Sequence, residues 1–257
     1  MLSSSTFSPT QLQLLQIGDE RSPLLVIDDF YPQPATLIAA ADNLQPFMLD
    51  PSNFYPGLRK ISPADYQQYL LGVMPELVTA LFAATAPMAP QPVQPQILQS
   101  AFAMTTLTPQ QLRPIQMLPH FDSVEPGQLA MVHYLCDASF GGTSFYQHRQ
   151  TGFERIDASR LIQYSSMLKV EAQAAQLHLT PAYHRGDSTM FRCIHQVPAR
   201  FNRAILYPAN LLHSGDINAS LPAAACPSAG RLTLSNFIRL QPASAQQRTQ
   251  TNPAYAP

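Results

Sequence analysis

The chain has 257 residues, of which 46% are apolar, enough for the core of one large domain or two small ones. Its formal net charge is −1 and no block of Lys and Arg occurs, which argues against nucleic acid or an anionic membrane surface as a partner. The three cysteines, Cys136, Cys193 and Cys226, are far apart and odd in number, which argues against a disulfide framework and against a thiolate zinc site.

Targeting and membrane signals are not evident in the sequence. The first ten residues contain neither a basic start nor an apolar run, so no signal peptide is predicted. No stretch approaches the roughly 18 to 20 apolar residues of a membrane span. The cytoplasm is therefore the expected location.

The first third of the chain is predicted to contain one strand and two helices after a polar lead-in over residues 1–20. The apolar run 24–27 predicts the strand, and residues 32–44 predict the first helix. The clearest helix covers residues 63–84, where apolar and Tyr side chains recur at three- and four-residue spacing. Two irregular segments are predicted, a loop over 53–59 and a stiff Pro/Gln-rich spacer over 87–95.

From residue 96 onwards, short β-prone runs follow one another, several of them separated by Pro, Gly or Asn, which predicts a sandwich or barrel. The predicted strands cover residues 98–107, 115–120, 129–136, 143–148, 191–197, 204–207 and 232–240. A helix over 158–178 interrupts them, within the segment 155–190. The tail 241–257 is predicted to be loose.

The interrupting helix is amphipathic. Its apolar side chains are expected to pack on the β-structure, while Arg160 and Gln163 point outward. The side chains expected to pack are Leu161, Ile162, Met167, Leu168 and Ala172.

A candidate metal site begins with His120 and Asp122. On a strand, residues two apart share a face, so this pair could offer an imidazole and a carboxylate to one ion. His213, 91 residues after Asp122, is the candidate third ligand. Two histidines and one carboxylate form the facial triad of non-haem Fe(II) oxygenases, which leaves positions open for other ligands. Because His-x-Asp is common by chance, a purely structural role stays open as the alternative.

Five short motifs occur in order between residues 96 and 240. They are Pro119-His120-Phe121-Asp122-Ser123, His133-Tyr134-Leu135-Cys136, Gly141-Gly142-Thr143-Ser144-Phe145, Leu212-His213-Ser214-Gly215 and Gly230-Arg231-Leu232-Thr233-Leu234-Ser235. In content and order they resemble the motifs of the Fe(II)/2-oxoglutarate dioxygenase superfamily, in particular its prolyl-4-hydroxylase-like branch. The run Val26-Ile27-Asp28-Asp29-Phe30-Tyr31 is a weaker similarity, to the strand that starts many of these domains.

The resemblance implies a mainly β fold of the α+β kind and an oxygenase function. Residues 96–240 would form a double-stranded β-helix (a jelly-roll, cupin-like barrel), buttressed by helices within residues 21–95, all in a single domain over 1–257. The metal would be Fe(II) on His120, Asp122 and His213. The cosubstrates would be 2-oxoglutarate and O₂, and the product a hydroxylated small molecule or peptide or protein side chain, with no nucleic acid or membrane involved.

The resemblance also implies residues for the cosubstrate. Arg231 would pair with the far carboxylate of 2-oxoglutarate, in keeping with the two parallel hydrogen bonds that arginine gives to carboxylates. Thr233 shares its strand face and could add a hydroxyl, the Tyr134 hydroxyl would reach the cosubstrate, and Ser144 could line the same pocket. A surface salt bridge for Arg231 and ordinary core packing for Tyr134 stay open as alternatives.

The chain departs from the family's pattern in ways that concern the substrate. The gap of 18 residues between His213 and Arg231 is unusually long and holds a loop over 216–230. The segment 155–190 is also a long insertion, and the family's Tyr before His-x-Asp is absent. The loop and the insertion are expected to border the entrance and set specificity. Two other classes stay open: a cupin-type metal enzyme without 2-oxoglutarate, and a non-catalytic binding module on the same barrel.

Overall fold

Most of the regular structure is β, arranged as two antiparallel sheets accompanied by a few helices. The computed structural model describes residues 6–43, 45–49, 54–83, 93–221 and 226–242. Within these residues, none of the helices has the length and hydropathy of a membrane span.

The described residues form ten strands and three α-helices. In chain order they are β1 (Leu12–Ile17), β2 (Ser22–Ile27), α1 (Pro34–Asp42), β3 (Gly57–Ile61), α2 (Ala64–Phe82), β4 (Val93–Thr105), β5 (Gln128–Tyr134), β6 (Thr143–His148), α3 (Leu161–Ala174), β7 (Phe191–Val197), β8 (Ala204–Pro208), β9 (His213–Gly215) and β10 (Leu232–Pro242).

From β4 onwards the chain passes repeatedly between the two sheets, with β6 and β7 as consecutive strands of the small one. The large sheet has the order β1-β2-β8-β5-β10-β4-β3, and the small sheet has the order β7-β6-β9. Thus β4, β5, β8 and β10 belong to the large sheet, while β6, β7 and β9 belong to the small one. An antiparallel bridge between His120 and His213 adds the segment before β5 to the small sheet, beside β9.

The large sheet separates two apolar layers, because side chains alternate between its faces. Along β5, Met131 packs in the layer that contains α1 and α2, whereas Ala130 and Tyr134 pack in the layer between the sheets. The fully buried side chains of α2 recur at three- and four-residue spacing, as its sequence predicted. They are Tyr66, Leu70, Met74, Leu77 and Leu81.

The helices predicted in the first third are confirmed as α1 and α2, although residues 44 and 84 lie outside the described residues. The polar lead-in was wrong in part, since it contains β1, which pairs with β2 from Leu12 opposite Ile27. The predicted loop 53–59 was also wrong in part, because β3 begins at Gly57.

Prolines explain two further differences. The predicted strand 115–120 is instead a 3₁₀ turn over Pro114–Met117 followed by the isolated bridge at His120, because Pro114 and Pro119 restrict φ and supply no N–H. Of the predicted spacer 87–95, residues 87–92 lie outside the described part. Pro95 lies within β4, opposite Leu240, where β3 does not extend along the other side of β4. An edge position of this kind tolerates proline.

The helix α3 is shorter than the predicted 158–178 and packs on the outer face of the small sheet. Leu161, Leu168 and Ala172 pack as expected. Ile162 was predicted to pack but is 80% exposed, and the buried side chain is Tyr164. Gln163 is exposed as predicted, Met167 is half-buried, and the guanidinium of Arg160 is paired with Glu20. Of the predicted tail, residues 243–257 lie outside the described part.

Candidate metal centre

Three side chains meet at the edge of the small sheet where the His120 segment joins β9. His120, Asp122 and His213 each offer one ligand atom, and these atoms all lie within 4.8 Å of one another. The Asp122 Oδ1 atom is 3.8 Å from His120 Nε2, and its Oδ2 atom is 3.5 Å from His213 Nε2. Two ligand atoms that each lie about 2.1 Å from an ion, at right angles to each other, are about 3 Å apart. The observed separations are only slightly longer, so small side-chain movements would bring all three ligand atoms to bonding distance of one ion.

The backbone fixes the spacing of these three residues. His120 and His213 exchange two N–H···O=C hydrogen bonds, each 2.8 Å long, and their rings lie 4.4 Å apart between centroids. The Asp122 N–H donates to the Ala209 carbonyl at 2.8 Å. The two residues of His-x-Asp are therefore held by a bridge to β9 and by the turn after β8, and not by one continuous strand.

The hydrogen bonding of His213 leaves its Nε2 atom available to a metal. Nδ1 is 2.9 Å from the Leu211 carbonyl, which can only accept, so Nδ1 carries the proton and Nε2 presents its lone pair. Burial lowers the pKa of His213 to about 4, which keeps the ring neutral at pH 7. Desolvation and the neighbouring His213 ring also lower the pKa of His120 to about 4, although 54% of its side chain is exposed.

Arg231 is a buried cation that forms no ion pair with the part of the chain that the structure describes. Arg231 is 6% exposed, and its Nη2 atom donates a hydrogen bond to the Gly142 carbonyl at 2.8 Å. Its Nε has no hydrogen-bond partner, and no carboxylate forms an ion pair with it among the described residues. A cavity of about 50 Å³ adjoins it, lined also by Thr105, Tyr183 and Ile217. A buried charge calls for a counter-charge, so this arrangement suits an anion.

Of the other predicted cosubstrate residues, Tyr134 and Thr233 share a face with Arg231, and Ser144 does not. Tyr134 and Thr233 are directly opposite each other on β5 and β10 and face the space between the sheets. The Tyr134 hydroxyl donates to Thr143 Oγ1 at 2.7 Å. Ser144 follows Thr143 on β6 and therefore points to the other face, where it accepts a hydrogen bond from Gln196. The hydroxyl on the inner face of β6 belongs to Thr143.

Tyr207 is a site residue that the sequence analysis missed. It is 1% exposed on β8, and its ring lies 5.0 Å from the His213 ring, edge to face. Its phenol interacts electrostatically with Asp122, Tyr134 and Arg231, and burial raises its pKa well above the ordinary value. A tyrosine in a strand of apolar residues indicates only core packing, so no sequence signal distinguished it.

Arg59 was missed because it was predicted to lie in a loop. It belongs to β3, opposite Ala103, and its guanidinium lies over the Tyr55 ring at 5.0 Å. Burial raises the pKa of Asp122, and the positive charge of Arg59 opposes that rise; the same charge adds to the lowering of the pKa of His120. Arg59 therefore adds positive potential beside the candidate ligands from the N-terminal part of the large sheet.

Comparison with known families gives one match that covers most of the chain. Residues 8–238 match the model of DUF6445, a family of unknown function. The chain belongs to this family. No curated protein matches it.

Several solved structures are similar to this DUF6445 chain, at low sequence identity. The non-haem α-ketoglutarate-dependent epimerase SnoN from nogalamycin biosynthesis is 12% identical, with a TM-score of 0.45 over 85% of this chain and 78% of its own. HygX from Streptomyces hygroscopicus, with nickel and 2-oxoglutarate bound, is 14% identical, with a TM-score of 0.45 over 85% and 83%. EctD from S. alaskensis, with 2-oxoglutarate and 5-hydroxyectoine, is 16% identical, with a TM-score of 0.46 over 92% and 79%. Similarities this distant do not assign a function to the DUF6445 chain. Its function has to be argued from its own residues.

Proposed function

We propose that this chain is an Fe(II)- and 2-oxoglutarate-dependent oxygenase that hydroxylates a small molecule or a peptide or protein side chain. One arrangement carries the proposal: the ligand atoms of His120, Asp122 and His213 lie within 4.8 Å of one another, and the buried Arg231 has no acidic partner among the described residues. The first half is a facial donor set for Fe(II), and the second half is a place for a carboxylate. The five sequence motifs support the prolyl-4-hydroxylase-like branch in particular.

We infer that the fold is a double-stranded β-helix. Eight segments support this inference: β4, the His120 segment, and β5 to β10, in two antiparallel sheets of orders β8-β5-β10-β4 and β7-β6-β9-His120. A jelly roll likewise places eight strands in two facing sheets. Because β1, β2 and β3 extend the large sheet at its edges, we also infer a single domain that includes the N-terminal helices.

The chain's own residues would bind, orient and protect the reactants. When bound, Fe(II), 2-oxoglutarate and O₂ supply the chemistry, in which 2-oxoglutarate is converted to succinate and CO₂ as a C–H bond is hydroxylated. The neutral rings of His120 and His213 would donate Nε2 lone pairs, and Asp122 would contribute a negative charge. Arg231 would hold a carboxylate of the diacid through parallel hydrogen bonds, which fixes its orientation. The buried rings of Phe145 and Tyr207 beside His213 would exclude water from this side.

The metal half of the proposal is tested by anaerobic Fe(II) binding and elemental analysis. We expect one Fe(II) per chain, and we expect His213→Ala and Asp122→Ala each to abolish stoichiometric binding because each removes one of three ligands. His178→Ala, at an exposed histidine, is the matched control and should bind one equivalent. Retention of one tightly bound Fe(II) by both ligand variants would contradict the site.

The cosubstrate half is tested by calorimetry with 2-oxoglutarate and by succinate release. Arg231→Gln should weaken 2-oxoglutarate binding by about tenfold or more, because hydrogen bonds to charged groups contribute about 1.5 to 3 kcal/mol. Arg239→Gln, an exposed arginine on the same strand, should change nothing. Metal binding without 2-oxoglutarate binding would favour a cupin-type metal enzyme, and binding of both without succinate in the presence of cell extract would favour a non-catalytic module.

A further inference from the structure

Among the described residues, the Tyr207 hydroxyl takes part in no hydrogen bond, and it is not one of the fully enclosed polar atoms, so it meets open space within the core. Tyr207 is 1% exposed and lies opposite Ala130 on β5, in the layer between the two sheets. Its neighbour in that layer, Tyr134, differs in this respect, since the Tyr134 hydroxyl donates to Thr143 at 2.7 Å. The Tyr207 hydroxyl is therefore free to donate to a bound ligand, and a hydrogen bond to a charged ligand oxygen would favour binding.

The position of Tyr207 connects the two halves of the proposed site. Its ring lies 5.0 Å from the ring of His213, whose Nε2 is 3.5 Å from the Asp122 carboxylate. The phenol is also close enough to Arg231 for that charge to act on it. A 2-oxo acid that reached from the candidate ligands to Arg231 would therefore pass beside the Tyr207 ring, with its metal end nearest to His213.

We propose that the Tyr207 hydroxyl donates a hydrogen bond to the metal-proximal carboxylate of this 2-oxo acid. This assignment rests on the proposed function and deepens it, because it gives the role that the family resemblance implied for Tyr134 to a residue on a different strand. Arg231 then holds the far carboxylate, and the two ends of the ligand are recognised by separate groups.

The test uses the full chain loaded with Mn(II), which replaces Fe(II) and avoids turnover, and measures binding by calorimetry. Two probes separate the ends of the ligand: 2-oxoglutarate, and 2-oxobutyrate, which keeps the 2-oxo acid and lacks the far carboxylate. Tyr207→Phe should weaken both probes by a similar factor of about ten, because a hydrogen bond to a charged oxygen is lost. Arg231→Gln should weaken 2-oxoglutarate alone.

Controls separate binding from structure. Mn(II) affinity and the melting temperature of metal-free Tyr207→Phe should equal those of the wild type. Tyr146→Phe, at a buried tyrosine whose ring packs on the outer side of β6, should bind both probes normally. Unchanged affinities in Tyr207→Phe, a loss confined to 2-oxoglutarate, or a parallel loss of Mn(II) affinity would each overturn the assignment. Failure of the wild type to bind 2-oxoglutarate would instead overturn the proposed function, and the tyrosine's role with it.

Discussion

His133 shows how one residue step on a strand changes the role of a side chain. It directly precedes Tyr134 on β5 and points the other way, into the layer beneath α2, where it is fully buried. Its Nε2 is 3.0 Å from Asn202 Oδ1, and its ring stacks on Tyr66 at 5.9 Å between centroids. Burial lowers the pKa of His133 to about 4, against the opposing effect of the Asn202 hydrogen bond. It is therefore a neutral core histidine.

This burial predicts that His133→Gln reduces the acid sensitivity of the fold. The folded His133 stays neutral down to about pH 4, whereas the unfolded chain binds a proton below about pH 6.5. The unfolded state thus holds more protons between these values. The contribution to the free energy of unfolding is complete above pH 6.5 and falls with pH by about 1.4 kcal/mol per unit. Between pH 7.5 and 5.0, urea titrations should show the wild type losing about 2 kcal/mol more than the variant.

A matched exposed histidine provides the control for this prediction. His178→Gln should keep the full pH dependence of the wild type, because its side chain lies at the surface in the folded chain. The comparison is between slopes, so a uniform loss of stability in His133→Gln does not affect it. Equal slopes for His133→Gln and the wild type would show that His133 titrates normally in the folded state.

At the scale of elements, the turn of the β1–β2 hairpin is hydrogen-bonded to Glu154, which in turn is hydrogen-bonded to the residue before β9. The Glu154 carboxylate is fully buried and accepts hydrogen bonds from the N–H groups of Asp19 and Glu20, at 2.9 and 3.0 Å. The Glu154 carbonyl accepts from Leu212 N–H at 2.8 Å, one residue before His213. The turn of the hairpin thus supports the strand that carries a candidate ligand.

Gly18→Ala should destabilise the chain by about 2 to 4 kcal/mol. Gly18 has φ +69°, a conformation that costs alanine about 1 kcal/mol, and an added Cβ would overlap the Glu154 carboxylate and displace its hydrogen bonds. Gly72→Ala is the control, because Gly72 is exposed in α2 with nothing within 4 Å of the added Cβ. It should stabilise by about 0.5 to 1 kcal/mol. Urea unfolding at pH 7.5 measures both changes. A Gly18→Ala chain as stable as the wild type would show that the hydrogen bonds between the hairpin turn and Glu154 do not stabilise the fold.

The sequence predicted best the helices and strands in which buried apolar side chains recur at a regular spacing along the chain. The predicted strands 143–148 and 191–197 coincide with β6 and β7, and α2 follows its apolar spacing. The strands β1 and β3 lie at the two edges of the large sheet, where polar residues are common and the pattern is weak. In β3, Lys60 looks like a loop residue, yet its ammonium donates to the Ala40 and Ala41 carbonyls near the end of α1. That contact depends on tertiary structure, which local spacing does not encode.

The residues of the candidate site also fall into two groups: those that a local sequence pattern indicates, and those that only tertiary contacts bring to the site. His120, Asp122, Arg231 and Thr233 carry local motif spacing, and the sequence identified them. Tyr207 enters the site through the pairing of β8 with β5 and the packing of the two sheets, and these contacts join residues far apart in the chain. Arg59 enters through the register of β3 on β4 in the same way.

At the scale of the whole molecule, the candidate ligands connect segments 91 residues apart. His120 and Asp122 precede β5 of the large sheet, and His213 begins β9 of the small sheet. An ion bound to all three would therefore hold two parts of the chain together in the folded state. The unfolded chain has no comparable site, so metal binding should stabilise the folded state as a whole.

Divalent metal should therefore raise the melting temperature of the wild type, and a chelator should reverse the change. Free Mn(II) at 100 times its dissociation constant adds about 2.7 kcal/mol to the free energy of unfolding. For a chain of this size, that corresponds to roughly 5 to 10 °C. Asp122→Ala should melt at the same temperature with Mn(II) and with EDTA, because two imidazoles bind the ion far more weakly than the complete set. Asp187→Asn, at an exposed carboxylate paired with Arg149, should keep the full response. A wild-type melting temperature that ignores both Mn(II) and EDTA, or an Asp122→Ala chain that still responds, would rule out a metal held by these three residues.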